Sequence, residues 1–349
     1  MAPQSVLTTT LQLLRDKLVD NSFLAHPLIR AIEEHGNLVK VSGSARVEQP
    51  VIFGETTQLT ELSSGWEAVN MSVTDPFYSA KFEWSNFTQP IILNAVEKAA
   101  NKGDLAVVNI LESKMKNVML SLKKEVSKQV IQGSSGKLTT LQTLNGNGLS
   151  VGGTDILAAN TNGWLEARAR ASQVNSVGGL SKATFQSQNW FNQFVDAGGT
   201  LALSHIDELF IQAQIYNPGG KTPDIMLLSP NCYAAFLALM DQRIQYISVA
   251  DRNGLNSEMV ATYRGARIYV DPNLGFNINS AVIAGRPAVS GYLLSSDQFQ
   301  LYADTDGWFN VGDMMPVPGT ATEASMVFCR MQLVTGHLAS HALLLDAEA

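Results

Sequence analysis

His337 and His341 stand four residues apart, the spacing at which two imidazoles on one helix can share a zinc ion. No Glu follows His337, and the neighbours Leu333, Val334, Leu338, Leu343 and Leu344 read as a strand. On a strand, positions i and i+4 lie ~13 Å apart, too far to chelate. His205-Ile206-Asp207 supplies two ligand types, but positions i and i+2 of a helix do not face each other, and no third ligand is specified. Asp304-Thr305-Asp306-Gly307 has the opening of a calcium loop without the bidentate Glu, and reads as a turn. Residues 145–154 carry Gly146, Gly148, Gly152 and Gly153, but no Gly-Lys-Ser/Thr follows and the G-x-G-x-x-G spacing is absent, so this is a loop. No nucleophile elbow is assigned, and neither Cys232 nor Cys329 has an obvious His partner. No converging set of titratable groups assembles, so no catalytic, metal or cofactor-binding residue is assigned.

The elements that would position such groups are informative in themselves. Residues 94–132 read as one long amphipathic helix, with Val108, Leu111, Met115, Val118, Met119, Leu122, Val126 and Val130 on one 3.6-period face. Lys114, Lys116, Lys123, Lys124 and Lys128 fill most other positions. Gly103-Asp104 marks a kink or a fresh start, and Gly133 suits the C-cap. Before this helix, residues 46–86 hold two strand-like runs, 47–53 and 79–87, separated by turn signals at Gly54, Ser63-Ser64-Gly65 and Asp75-Pro76. That is a long two-stranded excursion with little to fill a core, and an isolated ribbon is marginal in water. From Val47 to Ala80 it carries Glu48, Glu55, Glu61, Glu67 and Asp75 with no Lys or Arg. An acidic ribbon and a basic helix in one chain could meet between neighbouring copies. Glu55, Glu61 and Glu67 against Lys114, Lys116, Lys123, Lys124 and Lys128 are therefore the candidate inter-subunit contact, two solvated faces being the plainer alternative.

Elsewhere, residues 5–20 form a short amphipathic helix on Leu7, Leu11, Leu14 and Leu18, and residues 28–35 form another that Gly36 stops. Leu38–Val41 reads as a strand. Residues 184–195 and 204–215 read as helices, the second presenting Ile206, Leu209, Phe210, Ala213 and Ile215. Residues 224–228 read as a buried strand, and Ser229-Pro230 as the N-cap and first turn of a helix to about Met240. Strands follow at Ala266–Val270, 281–284, 290–294, 299–302 and 308–311, and a long one over 326–345 alternates Val327, Cys329, Met331 and Leu333. The middle portion is a mixed α/β layer.

Composition sets the limits. The 349 residues are 45% hydrophobic and only 16% charged, where about a quarter is usual. Fewer charges leave more surface to hide against partners. The net charge of −7 argues against a protein that coats DNA electrostatically. Two cysteines make neither a metal spacing nor a disulfide framework. No signal peptide is visible, and no apolar run approaches the ~18 residues of a membrane span.

Four local passages, in order, resemble the tailed-bacteriophage major capsid protein, the shell fold shared with encapsulins. They are Asn160-Thr161-Asn162-Gly163-Trp164, where relatives often have Trp-Trp and this chain has Trp164-Leu165; Gly219-Gly220-Lys221-Thr222-Pro223-Asp224; Leu227-Leu228-Ser229-Pro230; and the strand from Gly265 to Pro272, with Arg267 where Pro is common. The resemblance covers nearly the whole chain. It implies an α+β fold: an N-terminal arm (1–45), an extended β-ribbon loop (46–86), a peripheral domain with a long spine helix (87–140), an inserted axial α/β domain (141–296) and return strands of the peripheral domain (297–349).

It implies a non-enzymatic shell protein, without cofactor, that self-assembles into hexamers and pentamers around packaged double-stranded DNA, enclosed without sequence-specific binding. Expected partners are copies of itself, separate scaffolding and portal proteins and decoration proteins, with no membrane. The expected location is the virion, after assembly in the host cytoplasm. The ribbon is expected over the neighbour's spine and peripheral domain. Some relatives cross-link through a ribbon lysine; none lies between Arg46 and Lys81, so no isopeptide bond is expected. Some begin with a cleaved scaffolding segment; only about 45 residues precede the ribbon here, so scaffolding is expected to be separate or already removed. An encapsulin-type nanocompartment is the first alternative. A soluble metal- or nucleotide-dependent enzyme is the second, and another virion protein such as a tail tube the third.

Overall fold

The computed structural model describes residues 27–54, 75–94, 110–132, 138–141, 150–151, 154–155, 176–191, 193–240, 245–250, 257–275, 289–345 and 347. The expected helix at 5–20, the strand at 281–284 and Asn160–Trp164 lie outside these. The chain divides into two compact units. One takes Ala25–Phe87, Glu125–Trp308 and Cys329–Ala349; the other takes Met1–Leu24, Thr88–Lys124 and Phe309–Phe328.

The larger unit holds a seven-stranded mixed sheet. Its strands are β9 (Gln193–Asp196), β10 (Ile225–Leu228), β11 (Gln245–Ala250), β12 (Ser257–Tyr263), β13 (Ala266–Val270), β14 (Val289–Leu294) and β19 (Ala342–Leu345), in the order β11-β12-β13-β10-β14-β19-β9. The central β10 is apolar and buried throughout, as a strand covered on both faces must be. It runs parallel to β13 and antiparallel to β14. Helix α3 (Leu203–Tyr216) packs on β9, β14 and β19 through Ile206, Leu209, Phe210 and Ala213. Ile215, expected on that face, is 68% exposed. At one position per 100° it falls half a turn from Ile206, opposite the buried stripe, just before the Pro218–Gly220 turn. Helix α4 (Pro230–Met240) begins as expected, with Ser229 Oγ accepting the Cys232 N–H at 3.1 Å. Helix α1 (Pro27–Glu34) is fastened to β13: Tyr269 Oη donates to Glu34 at 2.9 Å, and Arg267 lies 3.4 Å from the same carboxylate. Gly36, at φ +71°, ends it.

A second sheet brings β1 (Leu38–Val41) parallel to β15 (Phe299–Asp304), and β15 antiparallel to the end of β18 (Thr322–Thr335). In the smaller unit the start of β18 pairs with β16 (Asn310–Val311) and β17 (Met315–Pro316). The strand β4 (Ser85–Asn94) also pairs β18.

Three expectations need correction. The long helix does not begin at Asn94, which closes β4; the described helix, α2, is Ile110–Gln132, and 95–109 lie outside the described residues. Residues 85–94 bury Ile91 and Leu93 alternately, and Pro90, exposed on the strand, has no amide to donate. Residues 184–195 are not a helix but a 3-10 turn (Gln186–Gln188) followed by β9. Asn189 at φ +63° interrupts any helix there, and Trp190, fully buried, donates Nε1–H to the Leu180 carbonyl at 3.2 Å. The apolar residues at 185, 190 and 191 satisfy separate tertiary sites, not one helical face. Finally, residues 326–345 are not one strand. β18 stops at Thr335, the chain turns through Gly336–Ser340, and β19 enters the other sheet.

The ribbon is β2 (Arg46–Ile52) against β3 (Phe77–Glu83), in antiparallel register from Arg46↔Glu83 to Ile52↔Phe77. The separate strand expected to run to Phe87 breaks at Trp84, where β3 gives way to β4. Its described part is not without a core. Phe53 stacks on Phe185 (4.6 Å between centroids) and meets Trp190 edge-on (5.3 Å), while Tyr78 meets Phe185 at 4.8 Å. The hairpin of β7 (Ser176–Val177) and β8 (Leu180–Ser181) backs this cluster. There the Lys81 N–H donates to the Gly178 carbonyl at 2.8 Å. Gly178 sits at φ +58°, and a Cβ there would lie 2.8 Å from the Ala80 Cβ.

Two substitutions test this root. Phe53→Ala removes a buried ring and should cost about 3–5 kcal/mol. Gly178→Ala adds both a clash and a left-handed strain, of order 1–3 kcal/mol. Denaturant unfolding should register both losses; wild-type midpoints would mean that the ribbon's root is not held by this packing.

Candidate assembly surface

The expected contact residues fall into two groups. Glu55, Glu61 and Glu67 lie outside the described residues. The five lysines all lie on α2 and share no single environment. Lys114 Nζ donates to the Ile92 carbonyl at 3.2 Å. Lys123, though exposed, has its ammonium 5.5 Å from the Phe309 ring centre, a cation–π distance. Lys116 and Lys128 are exposed and Lys124 is half-buried. The helix buries Leu122, Val126, Val130 and Ile131, as the 3.6 period requires, and with them Ser127. Two of the five lysines thus already hold contacts within the chain, which weakens a purely electrostatic docking.

The chemistry-bearing pairs resolve into structural roles. His205 Nδ1 accepts the Ala202 N–H at 3.3 Å and so caps α3. Asp207 accepts the Tyr263 hydroxyl at 2.5 Å and pairs with Arg264 at 2.9 Å. Asp304–Gly307 is a turn closed by the Gly307 N–H on the Asp304 carbonyl, with Asp304 held by Arg330 at 3.1 Å. Gly148-Leu149-Ser150-Val151-Gly152 does spell G-x-S-x-G. Its Ser150 stands in a two-residue hairpin, β5 (Ser150–Val151) against β6 (Thr154–Asp155), not at the strand-to-helix turn a nucleophile elbow needs. Among the described residues no three His, Cys, Asp or Glu side chains gather as a metal site, and no helix is long and apolar enough to cross a membrane.

His337 and His341 lie in the turn after β18, not in a strand, because the chain must change sheets there. His341 is fully buried. Its Nδ1 accepts the Ser295 N–H at 3.2 Å, and its Nε2 lies 3.1 Å from Thr335 Oγ1. The imidazole therefore joins the end of β14 to the end of β18, one strand from each sheet. Burial pulls His337 down to about 4. Burial, with the neighbouring His337, pulls His341 down to about 3. Sequence reasoning also missed Lys182, beside the ribbon's root, which is fully buried and drawn down to about 7 by burial. No spacing rule flags a single lysine.

No protein-family model matches this chain, and no curated protein matches it. Solved structures do, at full length. An encapsulin complex from Synechococcus elongatus PCC 7942 superposes with a TM-score of 0.61 at 12% identity, over 100% of this chain and 96% of its own. The cyanophage A-1(L) capsid gives 0.62 at 13% identity, over 99% of both chains. The capsid of a native GTA particle gives 0.58 at 9% identity, over 99% and 100%. The chain therefore has the tailed-phage capsid fold that encapsulins share, an α+β fold.

The histidine turn carries a pH prediction. The unfolded chain takes up protons on both imidazoles near pH ~6.5, while the folded one refuses them until about 4 and about 3. The unfolded state binds more protons in that window, so this stability is whole above ~6.5 and drains as the pH falls. Urea midpoints should drop between pH 7.5 and 5.5, and less steeply in His337→Gln. An unchanged slope in that variant would assign the drop to other groups.

Proposed function

We propose that this chain is the major head protein of a tailed phage. Copies assemble into hexamers and pentamers that close an icosahedral shell around packaged double-stranded DNA. The single observation that carries this reading is the end-to-end likeness to shell subunits, over at least 99% of the chain in each comparison above. The low charged fraction supports it, since assembly hides surface that a solitary protein would have to solvate.

On this reading residues 1–45 are an arm, 46–86 a projecting loop, 87–140 the peripheral domain with its spine, 141–296 the axial domain and 297–349 the return strands. Scaffolding, portal and decoration proteins are separate chains. Packaged DNA is enclosed without sequence readout, and a negative lining keeps it loosely held. Assembly takes place in the host cytoplasm and the protein ends in the virion. No catalytic step is assigned to the chain. The Glu55, Glu61 and Glu67 ribbon meets a neighbour's spine lysines, with exposed Lys116 and Lys128 carrying most of that attraction.

A second reading, an encapsulin-type compartment, is favoured by the Synechococcus structure, which matches as well as the phage capsids do. The contents of purified particles separate the two: nucleic acid for a head, a protein cargo for a compartment.

Reversing Glu55, Glu61 and Glu67 to Lys should cut the sedimenting, assembled fraction several-fold while circular dichroism of the monomer stays unchanged. Normal assembly by that triple variant would remove the electrostatic contact. Mature particles should run as intact monomer on denaturing gels, and a covalent ladder would contradict the expectation that no isopeptide bond forms.

A further inference from the structure

The chain enters the ribbon past Ser44 and leaves it at Trp84. Both points meet one side chain, Arg330 of β18. Its Nη2 donates to the Ser44 carbonyl at 3.0 Å, and its guanidinium carbon lies 4.9 Å from the centre of the Trp84 ring, a cation–π distance. Its Nη1 donates to Asp304, the last residue of β15, at 3.1 Å, and its backbone N–H donates to the Gly307 carbonyl at 2.8 Å. Gln332, the next residue on the same side of β18, is buried and repeats the pattern. Its Nε2 donates to the carbonyl of Glu83, the last residue of β3, at 2.8 Å, and its Oε1 accepts the Thr139 N–H at 2.9 Å.

A guanidinium suits this place. It is charged at every working pH, its amino groups point in fixed directions, and its face can lie on an aromatic ring while its edge donates. A lysine ammonium is a point charge that cannot hold three such partners at once. With 28% and 15% of their side chains exposed, Arg330 and Asp304 are shielded from much of the water that weakens a surface pair. Two donors are left over. Arg330 Nε–H and Trp84 Nε1–H are buried and meet no acceptor among the described residues. Trp84 is therefore gripped through its ring face, and its indole nitrogen adds nothing to the hold. The aromatic cluster at Phe53 and Tyr78 anchors the opposite end of the paired strands, whose register runs from Arg46↔Glu83 to Ile52↔Phe77. A ribbon held at one end alone can fray and pivot at the other.

We propose that Arg330 is the positioning residue of the ribbon: its guanidinium clamps the entering and leaving strands onto β15 and β18, and so presents the ribbon in the orientation that assembly uses. Only the last step rests on the shell reading above; the clamp is a property of the single chain.

Hydrogen exchange on the unassembled full-length chain reads the clamp, and sedimentation reads its consequence. Arg330→Gln should speed amide exchange in Arg46–Ile52 and Phe77–Glu83 at least tenfold, leave exchange in the central strand Ile225–Leu228 unchanged, and lower the assembled fraction several-fold. Arg330→Lys should behave like Arg330→Gln, although it keeps a charge beside Asp304. Trp84→Phe keeps the ring face and should match the wild type, whereas Trp84→Leu should follow Arg330→Gln; this pair decides the matter if Arg330→Gln does not fold. Ribbon exchange at the wild-type rate in Arg330→Gln would overturn the clamp. So would equal acceleration in ribbon and central strand, which is general destabilisation, and so would full rescue by lysine. Faster ribbon exchange with undiminished assembly would overturn the positioning role. A wild-type chain that never assembles would remove the shell reading, while the exchange rates would still decide the clamp.

Discussion

The ribbon's direction depends on the aromatic root where Phe53 and Tyr78 meet Phe185 and Trp190. Two strands alone cannot bury enough surface to stay folded. Here the missing third layer comes from far downstream in the chain, brought in by the Ser176–Ser181 hairpin and pinned by the Lys81–Gly178 hydrogen bond. With much of its inner face so occupied, the described part of the ribbon leaves its other face exposed. A ribbon with a fixed root has little conformational freedom left to lose on binding.

The same economy governs the larger unit. The chain passes from one sheet into the other through six residues after Thr335, and His341 ties that crossing to Ser295. A neutral, fully buried imidazole can accept from one strand's end and reach a hydroxyl on another's, which no aliphatic side chain can do. Its cost is sensitivity to acid.

Much of this was legible in the sequence where local chemistry decides. Ser229-Pro230 announced α4, Gly36 the end of α1, and the uniformly apolar Ile225–Leu228 a central strand. The lower half of the spine followed its period. The errors share one cause, that tertiary sites overrode a plausible local pattern. Residues 184–195 looked helical because Phe185, Trp190, Phe191, Phe194 and Val195 are spaced plausibly for a helix, yet three of them serve aromatic packing and two serve a strand. The strand expected over 79–87 stops short of the true end at Asn94, which goes instead to the spine, because Pro90 interrupts a pattern that resumes at Ile91 and Leu93. The candidate contact was read from charge, which a sequence displays. The Arg330 clamp was invisible, since Ser44, Trp84 and Asp304 are scattered along the chain and only the fold brings them to one side chain.

The central claim is that this chain builds a closed shell. Electron microscopy of the heaviest size-exclusion fraction of the purified full-length protein tests it most directly. Closed icosahedral particles or five- and six-membered rings, with the ribbon resolved across the neighbouring subunit, are the predicted result. A chain that stays monomeric at every concentration, and still does so with its scaffold supplied, would contradict the account.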